Sequence, residues 1–326
     1  MATTEPFGLE VEERLRRPPV PSASQILYRE DLILEGFPER EEMLAKFHEI
    51  WGRIEEHLAV NLTSEEAVEL FKEIVLYDIP DGTRSTLTVR PDLDVGMDAA
   101  MYCVALVHTL RSLGAESCVI MTHTLYNRLR GQEGLDRILK IIARGSRPLR
   151  KYVETAGVNV HWVGMRPGYE LRQQLLQNFP VQEGAAFESY FLIDYAEDLI
   201  FDPDVRRDLE RIPNVDVCIR HTKLNLSGGG WIPEKLLRST FLYSQNGTLF
   251  SNWEFDEFVA LAICALLAKV LNSGEGLVKM YGDLDEVKRR YQLREQRLFN
   301  QRIELRPNPS KLFVFGSALG LYQVYY

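Results

Sequence analysis

Hydrophobic positions recur at helical spacing over the first described stretch of pattern, from about residue 39 to 75. The segment EEMLAKFHEIWGRIEEHL (41–58) places Leu44, Phe47, Ile50, Trp51, Ile54 and Leu58 on one stripe. The next segment, TSEEAVELFKEIV (63–75), opens with Thr63 followed three residues later by Glu66, the signature of a capped helix start. The pattern then changes period. Short apolar runs at 73–78, 117–122, 158–164, 189–194 and 215–220 read as buried strands, and STFLY (239–243) as a weaker one. Helical patterns lie between them: 97–114 up to Gly114, about 134–156 up to Gly157, and DVRRDLERI (204–212). Residues 254–271 and about 282–303 return to helix. Apolar strands separated by helices predict an α/β fold, a parallel sheet covered on both faces with right-handed crossovers. The expected organisation is an N-terminal arm and helical extension (1–70, its first 25 residues loose), an α/β domain (71–258) and a C-terminal helical extension (259–326).

Composition narrows the function class. The net charge of −9 argues against non-specific nucleic-acid binding, which rewards a basic face. A small anionic ligand needs only a local cluster of arginines and stays open. Cys103, Cys118, Cys218 and Cys264 are far apart and in apolar surroundings, so they read as reduced core residues of a cytoplasmic protein. The N-terminus lacks the apolar stretch of a secretory signal, and FVALAICALLAKVL (258–271) is too short to span a bilayer.

In sheets of this kind ligands gather at the carboxyl ends of the strands. Here those ends are polar or cationic. After the first come Asp81, Gly82, Thr83 and Arg84, which fit either a tight turn with a charged exit or a grip on a magnesium-bound phosphate. After the second come His123, Thr124, Tyr126, Asn127, Arg128 and Arg130; after the strand at 215–220 come Arg220, His221, Thr222, Lys223 and NLSGGGW. His123 and His221 are either proton acceptors or ordinary hydrogen-bonding residues. Asp92, Asp94 and Asp98 read as a solvated helix start.

The order of these features resembles the cis-prenyltransferase family, of the undecaprenyl diphosphate synthase type, over roughly residues 70–258. DGTRS is similar to the family's D-G-N-G-R-W with one residue missing, and VRPDLDVGMDAA keeps Arg90 and Gly96 of the following arginine and G-H-x-x-G, with Leu93 at the histidine. HTLYNRLRG resembles F-S-T-E-N-W-K-R-P, with Asn127 and Arg130 matched. VNVHWVG, FLIDYAED (Tyr195 alone clearly kept), VDVCIRHTKLNLSGGGWIP and STFLYSQNGTLFSNWEFDEF follow the family's later motifs in order. The resemblance implies a homodimer acting with Mg2+ on a prenyl diphosphate. It casts Asp81 as metal ligand and catalytic residue, Asn127 as its catalytic companion, and Gly82, Thr83, Arg84, Arg90, Arg130, Arg220 and Ser227 as substrate-binding residues. The departures fall on the isopentenyl diphosphate side. Leu226 replaces a diphosphate-gripping arginine, and Thr240 stands where the family has a metal-binding glutamate. That imbalance favours ionisation of an allylic diphosphate followed by cyclisation or irregular coupling. Ordinary chain elongation and a non-catalytic partner subunit are the alternatives.

Overall fold

The computed structural model describes residues 36–58, 62–81, 95–124, 146, 149–164, 170–223, 230–273, 282–296, 300–317 and 320–326. Its centre is a nine-stranded sheet of order β3-β4-β2-β1-β5-β6-β8-β9-β7. Strands β1 (Leu76–Ile79), β2 (Ser117–Thr124), β3 (Val158–Val163), β4 (Phe187–Tyr195), β5 (Val217–His221) and β6 (Thr240–Ser244) are all parallel. Buried on both faces, they carry the continuous apolar runs that such strands require.

One face is covered by α1 (Arg40–Leu58), α2 (Ser64–Lys72), α3 (Val95–Ser112), α4 (Glu170–Asn178) and α7 (Phe255–Val270). The α1 stripe buries Met43, Phe47, Ile50, Trp51, Ile54 and Leu58, with Leu44 at its margin. At α2, Thr63 Oγ1 accepts from the Glu66 N–H while the Glu66 carboxylate accepts from the Thr63 N–H, the reciprocal cap expected from sequence. The opposite face is covered by α5 (Pro203–Glu210), the short α6 (Pro233–Leu236) and a 3-10 turn at Glu197–Phe201. Gly114 ends the α3 segment with φ of 94°. Gly164, after β3, has the same φ, and a side chain there would put its first carbon 2.9 Å from the Tyr195 Cβ.

The C-terminal extension departs from the helical expectation. It is helical over α7 and α8 (Leu284–Gln296), but β7 (Asn300–Glu304), β8 (Leu312–Ser317) and β9 (Gly320–Tyr325) then extend the sheet. β8 pairs antiparallel with β6, β9 antiparallel with β8, and β7 parallel with β9. The physical reason is a period of two. Phe313 and Phe315, then Tyr322 and Val324, face the core while their neighbours stay partly exposed. All four cysteines are free, and three of them are buried. Burial, reinforced by the nearby Asp78 carboxylate, pushes the Cys103, Cys118 and Cys218 thiols well up. Among the described residues no helix is long and apolar enough to cross a membrane.

Candidate functional site

The carboxyl ends of β1, β5 and β6 meet along one edge of the sheet. Asp81, two residues past β1, is fixed through its backbone, because its carbonyl accepts from both the Thr248 N–H and the Thr248 hydroxyl at 3.0 Å. Its carboxylate Oδ2 lies 3.3 Å from Arg220 Nη2 and 2.8 Å from Lys223 Nζ. Among the described residues, two cations meet this one carboxylate. Asp81 and Lys223 are reachable by solvent, with side chains 21% and 47% exposed, while Arg220 is nearly covered at 9%. The buried Arg220 Nε has no hydrogen-bond partner among the described residues, which leaves a donor of the guanidinium unspent.

The chain turns abruptly where β5 ends. Thr222 has φ of 59°, a left-handed conformation that costs a β-branched residue on the order of 1–3 kcal/mol. Its N–H donates to the Ser244 carbonyl at 2.8 Å, and the Lys223 N–H donates to the His221 carbonyl at 2.8 Å. The tight turn directs Lys223 back over Asp81.

On the other face of the same strands sits a buried polar cluster. His221 Nε2 is 2.7 Å from Asp78 Oδ1 and 3.2 Å from the Tyr102 hydroxyl, and His221 Nδ1 is 3.1 Å from the Asn246 carbonyl. Burial, then the charge of Asp78, pushes the Tyr102 phenol well above its usual range, so it stays a hydrogen-bond donor. His221 and Asp78 are 0% and 1% exposed. A proton acceptor for substrate has to be reachable, and His221 is not; the hydrogen-bonding alternative is the one found. Asp98 corrects the expectation of a solvated helix start. It is fully buried, and its carboxylate accepts from the Ser251 N–H at 3.1 Å and the Ser251 hydroxyl at 2.8 Å.

Of the residues singled out from sequence, the structure brings Asp81 and Arg220 together. Gly82, Thr83, Arg84, Arg90, Asn127, Arg130 and Ser227 lie outside the described residues, as does Leu226. Thr240 opens β6 level with Val217 and Leu76, roughly 13 Å along the strand from the rim at Ser244 and His221. Sequence reasoning missed Asp78, Tyr102 and Thr248. Asp78 carried a signal, an acid inside the apolar run IVLYDI, where an uncompensated charge is costly. Among the described residues no group of three or more His, Cys, Asp or Glu is placed to hold a metal. Among the described rim residues Asp81 is the one carboxylate that could take a magnesium ion, with phosphate oxygens of a ligand completing the shell.

No family model matches the chain, and no curated protein matches it. Solved structures similar to it include lavandulyl diphosphate synthase from Lavandula x intermedia in complex with dimethylallyl diphosphate, at 16% identity and a TM-score of 0.47, covering 60% of this chain and 96% of that one. A probable undecaprenyl diphosphate synthase from Campylobacter jejuni is similar at 15% identity and a TM-score of 0.43, covering 57% of this chain and 91% of that one.

Proposed function

We propose that the chain is an enzyme that ionises an allylic prenyl diphosphate at the β1–β5 rim and directs the cation to cyclisation or irregular coupling. The observation that carries this reading is Asp81 held at the end of β1 between Arg220 and Lys223. Ionisation is fast when the departing diphosphate is stabilised by fixed charges aimed at its oxygens. Arg220, whose guanidinium has a donor to spare, and Lys223 would take phosphate oxygens. Asp81 would hold a magnesium ion, which when bound supplies further neutralisation of the leaving group. Asn127, Gly82, Thr83, Arg84, Arg90, Arg130 and Ser227 join the proposal from the sequence resemblance. Its atypical outcome rests on Leu226 and Thr240, which stand in this sequence where the resemblance expects a diphosphate-gripping arginine and a metal-binding glutamate.

The test is diphosphate release and product mass with C5, C10, C15 and C20 allylic diphosphates and magnesium, with and without isopentenyl diphosphate. Release without isopentenyl diphosphate, reduced about a hundredfold in Asp81→Ala, is the expected result. Release only when isopentenyl diphosphate is added would replace this reading with ordinary elongation. No release from any substrate would leave the non-catalytic partner subunit.

A further inference from the structure

We propose that Asp78 and His221 are a positioning pair that sets the geometry of the rim through the sheet, from the face opposite to it. Consecutive residues of a strand leave on opposite faces, so His221 points toward α3 and α7 while Arg220 points to the side where it meets Asp81. The Asn246 carbonyl can only accept, so His221 Nδ1 carries the hydrogen and donates to it. One hydrogen lies between His221 Nε2 and Asp78 Oδ1 at 2.7 Å, so the ring is locked in plane and direction by contacts from two different elements. Tyr102 and Trp253 close on the ring edge-on, at centroid distances of 5.9 and 6.0 Å.

That lock controls three backbone groups at the rim. His221 supplies the carbonyl that receives the Lys223 N–H, and the strained Thr222 lies between them. Asn246, held by its carbonyl, sits two residues before Thr248, whose N–H and hydroxyl fix Asp81. Asn246 is also tied through its own N–H and side-chain amide to Ser244 Oγ, both at 3.3 Å. A left-handed threonine persists only where its surroundings over-determine it. The pair supplies that constraint, and the route from it to Asp81 is continuous: His221 to Lys223 on one side, and His221 through Asn246 to Thr248 on the other.

A buried pair that merely fills the core makes a different prediction. Replacing both members with apolar residues of similar volume is often neutral for stability, and nothing local should change. The test is amide hydrogen exchange of the full chain in Asp78→Leu/His221→Phe and in Asp78→Asn, followed at Thr222, Lys223 and Thr248. Expected is a loss of protection of tenfold or more at these amides, with β3 and β4 unchanged. Protection within twofold of the wild type in a folded variant overturns the proposal. Should both variants fail to fold, Tyr102→Phe, which removes the hydroxyl that touches both His221 Nε2 and Asp78, is read at the same amides by the same criterion, with a loss of threefold or more expected. A second arm measures binding of inorganic diphosphate with magnesium by calorimetry, and a tenfold weaker affinity in Asp78→Asn is expected. This arm alone rests on the anion-site reading above. A wild type that binds no diphosphate counts against that reading, while the exchange data still decide the role of the pair.

Discussion

His108 shows how hydrogen-bond partners fix the state of one side chain. Its Nε2 lies 2.8 Å from the Pro38 carbonyl, which can only accept, so Nε2 carries the hydrogen. Its Nδ1, 3.2 Å from the Tyr152 hydroxyl, is then the acceptor of a neutral ring. Burial pushes the His108 pKa down; the Pro38 carbonyl and Glu39 oppose this, and Arg111 adds to it. A depressed histidine binds fewer protons folded than unfolded, so its contribution is full above the unfolded value of about 6.5 and is lost as pH falls below it. Urea midpoints measured at pH 7.5 and 5.5 should therefore fall with acid, and His108→Gln, which can both donate and accept, should show a smaller fall. An identical fall in the two proteins would remove His108 as the cause. At this scale sequence was least informative. Asp98 looked like an ordinary acid at a helix start, and only the approach of Ser251, 153 residues away along the chain, makes it a buried acceptor. The placement of Asp81 and Arg220 at neighbouring strand ends was legible from the apolar runs that precede them, whereas Lys223 acquires its direction from a backbone turn that no residue type announces.

Elements were legible where their period was long or their punctuation chemical. The α1 stripe and the Thr63 cap are both as the pattern required. The C-terminal strands were overlooked because each alternating run is short and the charged helix α8 runs directly toward them. An ionic clamp on α7 adds to the β6–β8 ladder and the apolar face that hold them. Glu257, 2% exposed, accepts from Arg306 Nη2 at 2.7 Å and from Ser310 Oγ at 2.6 Å, and it pairs with Lys311 Nζ at 3.0 Å. Removing one partner of a buried pair leaves the other charge uncompensated, at a cost of about 3–5 kcal/mol. Glu257→Gln should lose stability at the lower end of that range in urea unfolding, since Lys311 keeps the Asn252 carbonyl at 2.7 Å. A loss below about 1 kcal/mol would show that the strands dock through their apolar face alone. Gly164 tests an element boundary on the other side of the sheet. Gly164→Ala combines a left-handed backbone with a contact of 2.9 Å against Tyr195, and the two together should cost about 2–4 kcal/mol. Unfolding within about 0.5 kcal/mol of the wild type would mean that the turn after β3 relaxes freely.

For the whole molecule, the alternation of helix and strand was enough to give a parallel sheet covered on both faces, because two covered faces leave strands no polar side to show. The division into arm, domain and extension reflects changes in sequence character, and one apolar cluster runs through all three stretches, from Phe37 through Trp162 to Tyr326. That cluster and a second one on the opposite face pack against one continuous sheet, which makes ligand binding at the rim a global quantity. Anything bound only by the folded state stabilises it by RT ln(1 + [L]/Kd), about 2.7 kcal/mol at a hundredfold excess over Kd. Spread over an unfolding entropy that scales with 326 residues, this corresponds to a rise in Tm of roughly 4 °C. Inorganic diphosphate with magnesium should therefore raise the Tm by several degrees, with magnesium alone giving little. Arg220→Gln should abolish the rise while leaving the fold intact, because the side chain meets Asp81 at the edge of the core. The acidic net charge works against a non-specific origin for such a shift, since a protein of charge −9 repels a polyanion everywhere except at a local cationic site. A Tm insensitive to diphosphate at millimolar concentration would take away the anion site, and Arg220 and Lys223 would then serve only to neutralise Asp81.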